Sequence, residues 1–447
     1  MSATLNFPNA FVDASKALNH DEARSSAPWL VAFRESQQHQ LEQCALPTRK
    51  TEDWRYSSRH LKMTDAVAAP LQAITEFTPN NDFVDLDGYL VVFVNGHFDA
   101  SKSRLPESDQ LTIKPFSALS NEEAEQVIAS SIPSGDDTAD APGTLASGTQ
   151  FPFAAINASY LSDGVYISVS KNAKIDKPIQ VHFYSEGHGT NAARVFFVAE
   201  QGAEATLIEE FSGNTESELL TAGVTEVVLN AQAELNYIRL NTEQEQISNV
   251  SLTKVTQHRD SRFNSYNIGL GGNLRRHDLK VKLIEPGAEC SLDGVCVTLE
   301  KQHYDNHTEI EHISAHCQSE ENYRCIAGDS SHIVFNGRIM IHRDAQKTSG
   351  AMSNKNLLLS SNAEIDTKPE LEIYADDVKC AHGTTIGQLD EEELYYLVTR
   401  GIAPDHAATM LTLGFVNELV QKIPNEVIKE KVEARLENLI KSAFQEV

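Results

Sequence analysis

Two stretches of this 447-residue chain concentrate the side chains that could ligate a metal or act as nucleophiles. The first, DDVKCAHGTTIGQLD at residues 376–390, sets Cys380 and His382 two positions apart. On a β-strand alternate residues share a face, which places their Cα atoms about 6–7 Å apart. A thiolate and an imidazole at that separation can ligate one metal ion or cluster jointly. Gly383 leaves the backbone open on the approach side, and a protonated imidazole beside the thiol would lower its pKa. The same residues also describe a half-buried cysteine beside an exposed histidine at the end of a sheet, and on this stretch alone that plainer reading prevails. The second stretch, HYDNHTEIEHISAHC, gathers His303, Asp305, His307, His312, His316 and Cys317. If it is extended, His303, Asp305, His307, Glu309 and Glu311 share one face. Imidazoles, carboxylates and a thiolate together suit zinc or iron. The spacing matches no closed metal site, however, and polar ladders on the solvent face of a sheet give the same pattern more often.

Other catalytic signatures are missing. The sequence holds no GxxxxGK followed by Ser or Thr, no GxSxG, no HExxH and no CxxC. The close glycines of GLGGNLRRHD, residues 269–278, read as a tight turn because no helix follows them. With 37 basic and 64 acidic residues the net charge is −27, which repels nucleic acid and anionic lipid. The densest basic run, RKTEDWRYSSRHLK at residues 49–62, suits a solvated helix face at least as well as a binding patch. The opening MSATLNFPNAFVDASKAL has no basic segment leading into an apolar core, and no apolar run approaches the roughly 18 residues of a membrane span. Cys44, Cys290, Cys296, Cys317, Cys325 and Cys380 then read as reduced thiols. The expectation is a cytoplasmic protein that binds neither nucleic acid nor membrane.

The elements that must position these residues follow from periodicity. Residues 1 to about 65 suggest a helical leader, with Trp29, Leu30, Phe33 and Leu41 on one face. Ser120 caps a helix that carries Glu122 and Glu123 in its first turn. SGDDTADAPGTLASG, residues 134–148, reads as a linker. From about Gly164 to Ile386, short segments such as VYISVS, ARVFFVAE and LKVKLIE alternate apolar and polar residues, the mark of strands with one buried face. A turn residue followed by Ala recurs at Asn172, Gly202, Gln232, Gly287 and Asn362, with the first two gaps equal at 30 residues. Equally spaced corners between strands point to a coiled sheet. A mainly β fold with a parallel β-helix (β-solenoid) core is therefore expected, with a β-sandwich as the alternative because the later gaps are irregular. Beyond Gly387 the period turns helical, in three segments; the last sets Val427, Val432, Leu436, Leu439 and Ile440 on a stripe, as in a small terminal bundle. The expected division is 1–149, a helical and mixed region; 150–387, the β-helix; and 388–447, a helical domain.

LLLSSNAEIDTKPELEIYADDVKCAHGTTIGQLDEEELYYLVTRGI, with FNGRIMIHRDAQKTSGAMSNKN and DNHTEIEHISAHCQSEENYRCI before it, resembles the shared core of the SufB/SufD family of iron–sulfur cluster assembly proteins. LPTRKTEDWRY near the N-terminus is similar to the entry motif of the SufD branch. Gly383, where SufB-like chains carry Glu, and the lack of an N-terminal cysteine cluster favour that branch too. The resemblance implies a right-handed parallel β-helix with helical ends, acting as a scaffold without ATPase activity. It implies pairing with a SufB-like paralogue through the C-terminal strands and binding of a SufC-like ABC ATPase through the C-terminal helices, with a homodimer possible in isolation. It also implies that His382, with Cys380 close by, helps hold a nascent iron–sulfur cluster or iron at the partner interface. Reduced flavin and iron supply are linked to the family; no motif here locates a flavin site. Two competing readings are a stand-alone metal-binding solenoid using the His303–Cys317 face, and a polysaccharide-acting solenoid enzyme. The latter class usually has a secretory signal and an aromatic groove.

Overall fold

A computed structural model describes residues 7–18, 27–74, 86–131, 151–244 and 246–445; the expected linker at 134–148 lies outside them. Each alternating segment forms a strand, and from Val165–Val169 onward each strand pairs with the next but one, so that successive strands alternate between two sheets. One sheet runs in space Lys379–Gly387, Ser349–Leu358, Gln318–Ala327, Glu289–Thr298, Arg262–Leu270, Glu234–Asn241, Glu204–Asn214, Ile179–Glu186, Tyr89–Val94 and His97–Phe98. The other runs Glu364–Ile373, His332–Ile341, His303–His312, Leu274–Leu283, Ile247–Gln257, Leu219–Leu229, Gly189–Ala199, Val165–Val169 and Leu111–Pro115. Pairing is parallel along the coil and antiparallel only at its beginning, where His97–Phe98 and Leu111–Pro115 close the two sheets. This is the β-solenoid. A sandwich of hairpins is excluded, since neighbours in sequence do not pair along the coil.

The corners explain the irregular spacing. The chain passes from the second sheet to the first through residues of positive φ: Asn172 (58°), Gly202 (69°), Gln232 (63°), Asp260 (54°), Gly287 (80°), His316 (63°) and Lys347 (58°). They recur once per coil, at intervals of about 30 residues. The residue after each is small and buried: Ala173, Ala203, Ala233, Ser261, Ala288, Cys317 and Thr348. Only the corners bearing Ala are evident in the sequence, and Asn362 belongs to the opposite series, just ahead of Glu364–Ile373. Two corners demand glycine on two counts, positive φ and crowding. A Cβ on Gly202 would lie 2.4 Å from Asn172 Oδ1, and one on Gly287 2.1 Å from Asp260 Oδ1.

Between the sheets like residues stack in files. Phe93, Phe183 and Phe211 form one, with successive ring centroids 5.2 Å apart and planes tilted by 22°. The interior also holds charge. Glu209 accepts hydrogen bonds from the Tyr237 hydroxyl (2.6 Å), the Thr225 hydroxyl (2.6 Å) and Arg239 Nη1 (3.0 Å), so this buried carboxylate is fully paired. No cation among the described residues pairs with Glu321. One hydrogen bond of 2.5 Å links it to Thr308 Oγ1, and burial lifts its pKa to about 8.

Helices cover both outer faces. Asn9–Leu18, Pro28–Leu41 and Pro152–Tyr160 place Phe11, Phe33, Phe153 and Tyr160 on the second sheet, against Phe196, Leu220 and Val250. Ser120 and Glu123 form a reciprocal capping pair at the head of Asn121–Ser131: the Ser120 N–H donates to Glu123 Oε2 (2.8 Å) and the Glu123 N–H to Ser120 Oγ (3.3 Å). The basic run at 49–62 is not a solvated helix face. It folds into two short 3-10 turns, Glu52–Trp54 and Ser58–His60, strapped to the second sheet by buried Trp54, over which the Arg276 guanidinium lies at 4.1 Å. At the other end, Pro404–Val420 and Glu426–Gln445 pack on each other and on the first sheet. Their seam uses Ile428, Val432, Leu436 and Ile440, four residues apart, whereas Val427 is 47% exposed. No helix of the described residues is long and apolar enough to cross a membrane.

Phe183→Ala should cost about 3–5 kcal/mol, because its neighbours in the file are fixed by the strands and cannot close the gap. Urea denaturation checks this; a loss under 1 kcal/mol would mean that the file collapses freely. Glu321 gives a pH signature. Its folded pKa lies above the unfolded value of about 4.3, so its contribution is full below that value and is lost as pH rises toward 8, by up to about 1.4 kcal/mol per unit. Glu321→Gln, of equal size and without the proton, should flatten the fall in stability between about pH 5 and 8 by that slope. An unchanged slope would show that Glu321 is already ionised.

Candidate functional site

The coil ends on two strands, Glu364–Ile373 and Lys379–Gly387, each with a neighbour on one side only among the described residues. Cys380 stands in register with Gly350, Ser319 and Cys290, and His382 with Met352, Glu321 and Leu292. Cys290, Leu292 and Met352 line the interior, so Cys380 and His382 face the mouth of the coil. Thr384 and Ile386 continue that face. Opposite them, Ile365, Thr367 and Leu371 continue the files of Ile333, Phe335 and Ile339. The two walls meet where Thr367 Oγ1 and Thr384 Oγ1 lie 3.3 Å apart, both within reach of Asn354 Oδ1. Side chains on this face are buried in earlier coils; here Ile365 stays buried, but His382 and Thr384 are exposed and Ile386 is 47% exposed.

The notable pair thus stands open on one side. Cys380 is half-buried against the core and His382 is exposed. Burial pushes the Cys380 thiol pKa up from its ordinary value. Nothing lies within 4 Å of a Cβ built on Gly383, which leaves that approach clear.

The second stretch is dispersed. His303, Asp305 and His307 do share the outer face of His303–His312, under the N-terminal strap. Asp305 is buried between Arg276 Nη1 (2.6 Å) and His307 Nε2 (2.8 Å), and this arginine holds its carboxyl well below the usual range against the pull of burial. His312 lies at the far end of the strand, buried, with a ring nitrogen 2.9 Å from Ser319 Oγ and its pKa lowered to about 4 by burial. His316 is the exposed corner residue and Cys317 fills the small corner slot after it. The structure therefore does not bring His312, His316 and Cys317 to His303 and His307. It brings His60 and His332 to His303 instead. Neither was evident beforehand. His332 lies one coil after His303 in register, so the coil period could have found it; no local signal marks His60.

Just past the open strand, Gln388, Leu389 and Asp390 lead into the helix Glu391–Thr399. Asp390 Oδ1 accepts from the N–H groups of Glu392 (2.8 Å) and Glu393 (3.2 Å), an N-cap reinforced by three acids in the first turn. No residue of this helix is buried, and Tyr395 and Tyr396 are 71% and 56% exposed.

Residues 182–415 match the family described as "SUF system FeS cluster assembly, SufBD core domain", and residues 1–181 match "SufBD protein N-terminal region". Among characterised proteins, the chain is similar to the iron–sulfur cluster assembly protein SufD of Escherichia coli, 29% identical over 90% of this chain and 92% of that one. It is likewise similar to a SufBD family protein of Synechocystis (27%, over 88% of each chain) and to the chloroplastic protein ABCI7 of Arabidopsis thaliana (28%, over 93% of this chain and 87% of that one). Family models covering both the strap and the coil leave one conclusion: the chain belongs to the SufBD family of the SUF iron–sulfur cluster assembly system.

Proposed function

We propose that this chain is a scaffold subunit without ATPase activity, and that the open end of its solenoid pairs with the matching end of a SufB-like homologue. The uncovered last coil carries this reading. A terminal repeat with bare interior residues needs a cap, and a bare strand edge is a template for pairing. The two edges are unequal. The Lys379 N–H donates to Thr348 O, so by strand alternation the N–H groups of Cys380, His382 and Thr384 point outward from the edge. In the other sheet the Glu364 N–H donates to Ser331 O, which puts the missing N–H of Pro369 on the outward side. Pairing is therefore assigned to Lys379–Gly387.

A strand added there would lie about 4.8 Å away, with its inward side chains over Cys380 and His382. The cargo, iron or a nascent cluster, would be held by Cys380 and His382 on this side and by the partner's ligands on the other. A half-set on each chain accounts for the incomplete set here. Two copies of this chain could pair by the same edge when the homologue is absent. The exposed helix Glu391–Thr399 is the proposed seat of a SufC-like ABC ATPase, with Tyr395 and Tyr396 as anchors; only three residues separate it from the paired strand, so movement of one is felt by the other.

Co-expression with SufB-like and SufC-like chains tests both parts. Thr384→Pro removes a donor that the chain itself does not use, so the subunit should fold yet lose the SufB-like partner by at least tenfold in affinity. His382→Ala should keep the complex and lower cluster assembly several-fold. A stable Thr384→Pro complex would sink the edge assignment, and wild-type assembly by His382→Ala would sink the cargo site.

A further inference from the structure

A second cluster, on the outer face of the other sheet, plays no part in that reading. His303 and His332 head neighbouring strands in register, and His60 reaches them from the N-terminal strap. The His60 and His303 rings stack with centroids 3.9 Å apart and planes within 7°, and His332 stands edge-on to His303 at 4.7 Å. One ligand nitrogen from each of the three rings lies within 4.8 Å of those of the other two.

The surrounding hydrogen bonds fix which nitrogens carry lone pairs. Arg276 keeps Asp305 ionised, and Asp305 accepts from the Ser57 hydroxyl. Ser57 Oγ must then accept from His303 Nε2–H (2.8 Å), leaving a lone pair on His303 Nδ1. That atom is buried and has no hydrogen-bond partner among the described residues. His332 Nε2–H donates to Asp366 Oδ2 (2.8 Å), the carboxylate–imidazole arrangement that supports a metal ligand, and its Nδ1 faces Arg59 Nη2 at 3.0 Å. Arg59 Nε donates to His60 Nε2, also at 3.0 Å. The three imidazoles therefore offer acceptor lone pairs, two of them to one guanidinium. The Arg59 side chain is 43% exposed and lies 3.5 Å from Glu364, so it can swing away without unfolding anything.

From this geometry we infer that His60, His303 and His332 form a binding site for a divalent first-row transition ion such as Zn²⁺ or Fe²⁺, in which Arg59 is the displaceable stand-in for the metal. Glu364, grouped within 4.8 Å of His332 and Asp366 but not with His60 and His303, would have to move in with the ion to serve as a fourth ligand. Bonds of about 2.0–2.1 Å bring ligand nitrogens to roughly 3.3 Å from one another, so binding contracts the cluster. Stacked rings keep their lone pairs in nearly parallel planes, and His60, the half-buried member on a short turn, is the ring that must tilt. A hydrogen-bonded latch would have no use for the bare Nδ1 of His303. The ion would staple the strap at residues 52–60 to two coils and needs no partner subunit.

The test uses the full chain carrying Cys380→Ser and His382→Ala, so that the open end contributes nothing, after removal of metal by a chelator. Titration with Co²⁺ should show one equivalent bound, with the visible d–d absorption of a four-coordinate nitrogen and oxygen site. His303→Gln and His332→Gln should each weaken binding at least tenfold, and Arg59→Ala should strengthen it. Absence of stoichiometric binding overturns the site, as does binding indifferent to both histidine substitutions. Arg59→Ala alters an exposed side chain and keeps the fold, so weaker binding in that variant also counts against the site.

Discussion

A flat coil buries its inner face only against the next coil, and every other feature answers to that constraint. At the beginning of the solenoid the two sheets are closed by the short antiparallel strands His97–Phe98 and Leu111–Pro115. At the far end no strand of the described residues closes either sheet. Files that are dry further back, such as Leu292–Glu321–Met352, arrive at His382 in the open. The residues with the most evident ligand chemistry thus stand where the fold is unfinished. The proposal that a second chain completes the site rests on the architecture as much as on the side chains.

Repetition is sustained by corners rather than by any repeated sequence. Each coil needs one residue that tolerates positive φ and then one small residue, and the chain meets that need with Asn–Ala, Gly–Ala, Gln–Ala, Asp–Ser, His–Cys and Lys–Thr. The outer faces are held differently. Arg276 binds Asp278 and Asp305, lies over Trp54 and donates to Asp53 O, so one buried guanidinium ties the N-terminal strap to two coils. Removing one partner from such a buried network leaves the others uncompensated, which makes it a point of high leverage on the fold.

Much of this was legible in the sequence because strand alternation and corner spacing are local signals. Cys380 and His382 share a face simply because they are two apart on a strand, and the helices beyond Gly387 follow from a change of period. What failed was anything that depends on chain crossing from coil to coil or from strap to sheet. His303, His312 and Cys317 are near in sequence, yet His303 and His312 stand at opposite ends of one strand and Cys317 lies past the corner at His316, while His60 and His332 meet His303 across long intervals. The run at 49–62 read as solvated because nothing local shows that Trp54 will be buried under Arg276. Cys317 looked like a ligand and is a corner residue, for a thiol is about as small as the slot requires.

The central claim is that the edge of Lys379–Gly387 is covered by a homologous strand. Residue-resolved amide hydrogen exchange of the chain, alone and with its SufB-like partner, tests it most directly. In the isolated chain the amides of Ala381, Gly383 and Thr385, which face Ser349–Leu358, should already be protected, and those of Cys380, His382 and Thr384 should exchange freely. Adding the partner should slow those three and leave their neighbours nearly unchanged. If the partner binds while Cys380, His382 and Thr384 exchange as before, the complex forms elsewhere and the account is wrong.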